Sequence, residues 1–195
     1  MRPSNSRRAF IIRVASVSAT LAAGGAMAEE EIKGFGSAAA ARHDGPVRFD
    51  YGVASGDPLA DRVILWTHAR RRFTKLPVVM RWEVALDAGF RKVVSAGWAT
   101  ARTESGHTAK VDAKGLQAGR TYFYRFRTLF DVSPVGITRT LPKGDVQSVK
   151  LAVFSCSNYP AGYFHAYSEA VHVGAQYAVH LGDYIYEYPA NGYAS

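Results

Sequence analysis

Tyr122-Phe123-Tyr124-Arg125-Phe126-Arg127 puts the rings of Tyr122, Tyr124 and Phe126 on one face of an extended chain and Phe123, Arg125 and Arg127 on the other. A sheet with one face buried and one face in water needs that alternation. The segment just before it, Leu116-Gln117-Ala118-Gly119-Arg120-Thr121-Tyr122, reads as the corner ahead of the penultimate strand of an immunoglobulin or fibronectin type III sandwich. Working outward, β-branched and aromatic runs predict strands over 49–54, 63–68, 78–86, 93–100, 108–111, 121–128 and 136–140. Ser55-Gly56-Asp57-Pro58, Asp87-Ala88-Gly89 and Ala118-Gly119 supply turns between them. A β-sandwich over residues 46–143 is the expected domain. It carries no catalytic constellation: His68 and His107 read as single polar or strand-end histidines, and Arg70-Arg71-Arg72 as a solvated turn.

The flanks differ from this middle. Residues 1–28 read as an export signal, with Arg7-Arg8 ahead of a weakly apolar run and Ala26-Met27-Ala28 as the cleavage site after Ala28. The paired arginines resemble a twin-arginine signal, so the expected partner is the twin-arginine export machinery and the expected location periplasmic or secreted. Residues 29–45 read as a flexible lead-in. Without residues 1–28, which hold four arginines and no acid, 20 basic side chains face 16 acidic ones and the net charge falls from +8 to +4. That is too little for a nucleic-acid-binding role. No run reaches the roughly 20 apolar residues that span a bilayer, so no stable membrane insertion is expected. A single Cys excludes a disulfide framework.

Past Asp145 the pattern changes to that of an α/β unit, over 148–195. Lys150-Leu151-Ala152-Val153-Phe154-Ser155 reads as a strand covered on both faces, 162–173 as a helix that Gly174 can end, and Tyr177-Ala178-Val179-His180-Leu181 as a second buried strand. Strand, helix and strand make a βαβ unit. Cys156 and Asp183 then lie just past the carboxyl ends of the two strands, where open α/β sheets bind ligands. Tyr186, three residues further on, can bring a phenol to the same place. A thiolate, a phenolate and a carboxylate favour ferric iron over zinc or magnesium, with a second, harder cation on the far side of the carboxylate. Asn158 and Tyr159 are possible pocket residues. Taken singly, Cys156 reads as a structural thiol and Asp183 as a turn residue; their coincidence at one sheet edge points to a metal site.

Gly182-Asp183-x-x-Tyr186 resembles the second motif of calcineurin-like metallophosphoesterases. Phe49-x-Tyr51-Gly52-Val53-Ala54-Ser55-Gly56-Asp57-Pro58, Val63-Ile64-Leu65-Trp66-Thr67, Phe154-Ser155-Cys156-Ser157-Asn158-Tyr159 and His180-Leu181-Gly182-Asp183-Tyr184-Ile185-Tyr186-Glu187-Tyr188 together are similar to the alkaline phosphatase D family. The resemblance implies an N-terminal sandwich followed by a metallophosphoesterase domain, and hydrolysis of phosphate monoesters or diesters at a binuclear iron–calcium centre. It implies Cys156 and Tyr186 as iron ligands and Asp183 as the bridging carboxylate, with no catalytic residue separate from them. The family's later ligand motifs are absent before Ser195, so the chain is expected to be an amino-terminal piece, inactive alone. The alternatives are an exported fibronectin-like binding module without activity and another metallophosphoesterase, such as a purple acid phosphatase; Cys156 stands where the latter has Asp.

Overall fold

The structure is a computed structural model that describes residues 11–12, 46–161 and 163–189. The signal residues Arg7, Arg8 and Ala28, and the lead-in, lie outside the described residues. The strands are β1 (Ile11–Ile12), β2 (Val47–Arg48), β3 (Val53–Gly56), β4 (Arg62–His68), β5 (Arg70–Arg71), β6 (Val78–Ala85), β7 (Val93–Ala101), β8 (Thr108–Lys114), β9 (Thr121–Arg127), β10 (Gly136–Arg139), β11 (Leu151–Phe154) and β12 (Tyr177–His180). One α-helix, α1 (His165–His172), lies between β11 and β12. The chain divides into two units, the first holding β2 to β10 and the second holding β1, β11, α1 and β12.

In the first unit, an antiparallel sheet of order β10-β9-β6-β7 and a second of order β3-β4-β8 contribute to one core. The period-two pattern does the sorting. Tyr122, Tyr124 and Phe126 of β9 are at most 2% exposed, and they meet Val63 and Leu65 of β4, Met80 and Val84 of β6, and Ala109 and Ala113 of β8. Each large apolar side chain so buried contributes about 1.5–3 kcal/mol. Just ahead of β9, the phenol oxygen of Tyr122 accepts the Gln117 backbone N–H at 2.7 Å.

Three expectations change here. The strand expected over 49–54 is broken: Gly52, at φ 65°, donates its N–H to the Phe49 carbonyl, and the turn separates β2 from β3. Arg70 and Arg71 are not a turn but strand β5, paired with β2, because the Asp50 carboxylate in that turn holds both Arg48 and Arg70 at 2.7 Å. His68 and His107 are not isolated; their rings stand 6.1 Å apart, and His68 is buried.

On the outer face of the larger sheet, the Glu83 carboxylate is buried among Arg125 at 2.8 Å, Arg81 at 3.1 Å and Arg127 at 3.2 Å. Burial alone would raise its pKa. The Arg125 hydrogen bond, the charges of Arg125 and Arg127, and the Arg81 hydrogen bond outweigh burial and hold it below the ordinary 4.5. As pH falls through the ordinary carboxyl range, the unfolded chain therefore takes the proton first, and stability present at neutral pH is lost towards the lower, folded value. Stability measured against acid pH is expected to fall less steeply in Glu83→Gln than in the parent; an unchanged slope would remove the carboxylate from this role.

In the second unit, β11 and β12 pair in parallel, Leu151 opposite Tyr177 and Phe154 opposite His180, and β1 adds an antiparallel edge to β12. Helix α1 is shorter than the expected 162–173, and Gly174, at φ 77°, follows its end. The Phe154 ring packs 4.5 Å from Tyr167 of α1. The expectation that β11 is covered on both faces fails: Leu151 and Val153 are 56% and 58% exposed. Their side chains alternate away from the face that α1 covers, and nothing among the described residues of this unit covers the other. No helix among the described residues is long and apolar enough to cross a membrane.

Candidate metal centre

The parallel ladder runs past the ends of both strands. Leu181 donates its N–H to the Phe154 carbonyl at 2.8 Å, and Cys156 to the Gly182 carbonyl at 3.4 Å. The chain then turns sharply on each side. Cys156 (φ 57°) and Asp183 (φ 46°) both adopt the left-handed conformation, next to Gly182 at φ 121°. A left-handed backbone costs a residue with a Cβ roughly 1–2 kcal/mol. Two such residues side by side at the ends of adjacent strands mark a place where side-chain direction outweighs backbone comfort.

That direction is inward to a common point. The phenol of Tyr186 donates to Asp183 Oδ2 at 2.7 Å, and the Cys156 thiol approaches the same oxygen at 3.7 Å. The three residues that the sequence singles out therefore meet at one carboxylate oxygen. A backbone clip fixes the arrangement: Tyr186 N–H to the Ser157 carbonyl at 2.7 Å, and Tyr159 N–H to the Tyr186 carbonyl at 3.0 Å. The Tyr186 ring stacks on Tyr188 at 5.7 Å. Ser157 and Tyr167 share a hydroxyl–hydroxyl hydrogen bond of 2.9 Å, which ties the loop to α1.

The Asp183 carboxylate that accepts its hydroxyl, and then the Cys156 sulfur beside it, push the Tyr186 phenol well above its ordinary value of 10.0. Positive charge at this point would oppose that rise and help the phenol give up its proton. A bound cation supplies that charge and favours thiolate and phenolate. A thiol, a carboxylate and a phenol at one point are a donor set that a cation can join. Cys156 and Asp183 are exposed, so the cluster is open to solvent. No group of three or more His, Cys, Asp or Glu converges among the described residues.

Asn158 and Tyr159 enter through backbone: Asn158 forms a parallel bridge with Tyr186, and the Tyr159 ring is exposed. Neither lines the apolar cavity of about 390 Å³ on the helix side of the sheet, which is bounded by Phe154, Phe164, Tyr167, His180, Tyr184 and Ile185 among others. Sequence reasoning missed this cavity. Its signal was the pair Tyr184-Ile185 between Asp183 and Tyr186: when the outer two residues turn to one site, the inner two turn elsewhere. The Nδ1 of His180 accepts the Gly182 N–H at 3.3 Å.

Comparison with known proteins gives two family matches: residues 36–142 match PhoD-like phosphatase, N-terminal domain, and residues 151–195 match PhoD-like phosphatase. The chain is 43% identical over 155 residues to alkaline phosphatase D of Bacillus subtilis (strain 168), covering 75% of this chain and 27% of that protein. A solved structure described as the structure of PhoD superposes with a TM-score of 0.68 at 40% identity, covering 77% of this chain and 30% of that one. The chain thus spans less than a third of the length of either relative.

Proposed function

The chain belongs to the PhoD-like phosphatase family, and from that premise we propose that it supplies the first metal ligands of a phosphoesterase acting on phosphate monoesters or diesters. The observation that carries the proposal is the convergence of Cys156, Asp183 and Tyr186 on one carboxylate oxygen. In this reading Cys156 and Tyr186 would hold ferric iron, and Asp183 would serve both that iron and a calcium ion. Metals held there would supply charge neutralisation for phosphoryl oxygens and a more acidic attacking water.

The chain's own residues set the stage for that. The left-handed turns at Cys156 and Asp183 aim both donors at one spot, so little is reorganised when a cation arrives. The Asp183 carboxylate takes up the Tyr186 hydroxyl proton's hydrogen bond and keeps the phenol oriented until that proton leaves. The clip from Ser157 to Tyr186 holds the second donor loop against the first. The sandwich belongs, in the same reading, to the immunoglobulin or fibronectin class, with 46–143 as its domain and 148–195 as the start of the esterase domain. Export to the periplasm or beyond would use Arg7 and Arg8 and cleavage after Ala28.

The chain is titrated with ferric iron, and the product of the whole coding frame is assayed on phosphate esters with iron and calcium. Iron-loaded protein is expected to show a visible tyrosinate-to-iron band that Tyr186→Phe abolishes while its fold persists. A band that survives Tyr186→Phe removes Tyr186 from the ligand set; no band and no hydrolysis overturn the proposal.

A further inference from the structure

The outer face of the four-stranded sheet carries more positive charge than its fold requires. Arg81 of β6 lies opposite Arg127 of β9 in register, and opposite Trp98 of β7 on its other side. Directly opposed residues in such a pair sit about 5 Å apart, where like charges destabilise a sheet. One carboxylate, Glu83, serves Arg81, Arg125 and Arg127 together, so two positive charges remain unmatched at this spot.

The geometry separates the three arginines. Arg125 spends both Nε and Nη2 on Glu83 Oε2, at 2.9 and 2.8 Å, and its guanidinium lies 3.9 Å over the Phe90 ring. It is the structural member. Arg81 and Arg127 each reach Glu83 Oε1 through Nε, at 3.1 and 3.2 Å. Their side chains are 38% and 46% exposed, and Trp98 is 69% exposed beside them. A guanidinium tethered by Nε keeps its two Nη groups for a second partner, already oriented. Two such forks on adjacent strands match the oxygens of a tetrahedral anion, and tethering lowers the entropy lost when one binds.

We propose that Arg81 and Arg127, positioned by Glu83 and flanked by Trp98, form a binding site for a phosphate-type oxyanion, meaning a phosphate or sulfate group, free or carried on a polymer. The site lies in the sandwich unit and stands independently of the metal ligands.

The test follows the arginine Nε–H resonances of the full chain by NMR at low ionic strength while inorganic phosphate, sulfate or polyphosphate is added. Saturable shifts confined to Arg81 and Arg127 are expected. Arg81→Gln with Arg127→Gln should weaken binding at least about tenfold, Arg81→Lys with Arg127→Lys should fall between, and Arg71→Gln with Arg72→Gln, which removes the same charge elsewhere, should leave it unchanged. Tight, salt-sensitive binding of polyphosphate with weak binding of phosphate identifies a polymer as the source; equal affinities identify the free ion. The absence of saturable shifts with all three probes overturns the proposal. So does equal binding by the parent and the Gln pair, provided far-UV circular dichroism shows both folded.

Discussion

Asp183→Asn is expected to lower the proposed phosphate-ester hydrolysis by about three orders of magnitude in the full-length protein. The amide nearly keeps the carboxylate's shape but loses its charge and puts an NH₂ where an oxygen accepted. Asp183 Oδ2 is the single atom to which both the Tyr186 phenol and the Cys156 thiol are drawn. Without its charge, the cation that this cluster would hold loses its central ligand and the other two lose their reason to converge. Metal-assisted stabilisation of a transition state is worth several kcal/mol, and at about 1.4 kcal/mol per factor of ten a loss of ~4 kcal/mol gives that thousandfold drop. The measurement is kcat/KM on a monoester and a diester, with metal content determined on the same samples. Asp145→Asn, in the exposed stretch between the two units, serves as the control and should change neither. If Asp183→Asn keeps its metal and its rate, the site has been assigned to the wrong residues.

Phe126→Ala is expected to destabilise the sandwich by about 3–5 kcal/mol. Phe126 is wholly buried in β9 and belongs to the core that both sheets share. Leu65, Met80 and Tyr124 of the same cluster are held by backbone ladders on several strands, so the space it leaves cannot close by a small shift. For a domain of this size each kcal/mol moves the midpoint by about 4–8 °C, so a drop of roughly 12–40 °C is expected in a thermal melt followed by near-ultraviolet circular dichroism. Phe130→Ala, at a ring that is mostly exposed, should change stability by no more than about 0.5 kcal/mol. Similar midpoints for the two variants would show that β9 is not the centre of the core.

Much of this was legible in the residues because the forces concerned are local. Alternation in 122–127 sorts rings from arginines by sterics and hydrophobicity alone, and the β4, β6 and β9 strands appear within a residue or two of where they are expected. The break at Gly52 was harder to read. Phe49 through Ala54 has strand composition, and it turns because Asp50 gains two arginines from elsewhere in the chain by turning. Continuous apolar character in β11 was likewise ambiguous, since it records what a strand prefers to face and not what lies against it.

The sequence by itself determined the period-two strands of the first unit, the strand–helix–strand order of the second, and which three residues stand beside the strand ends. Only the tertiary structure decided that the donors share a single oxygen, that the chain takes left-handed turns at Cys156 and Asp183 to bring them there, and that three arginines gather on one glutamate. Side-chain periodicity is set by neighbours along the chain. Convergence is set by the register between strands distant in sequence, where a slip of one residue would send each of these groups to the opposite face.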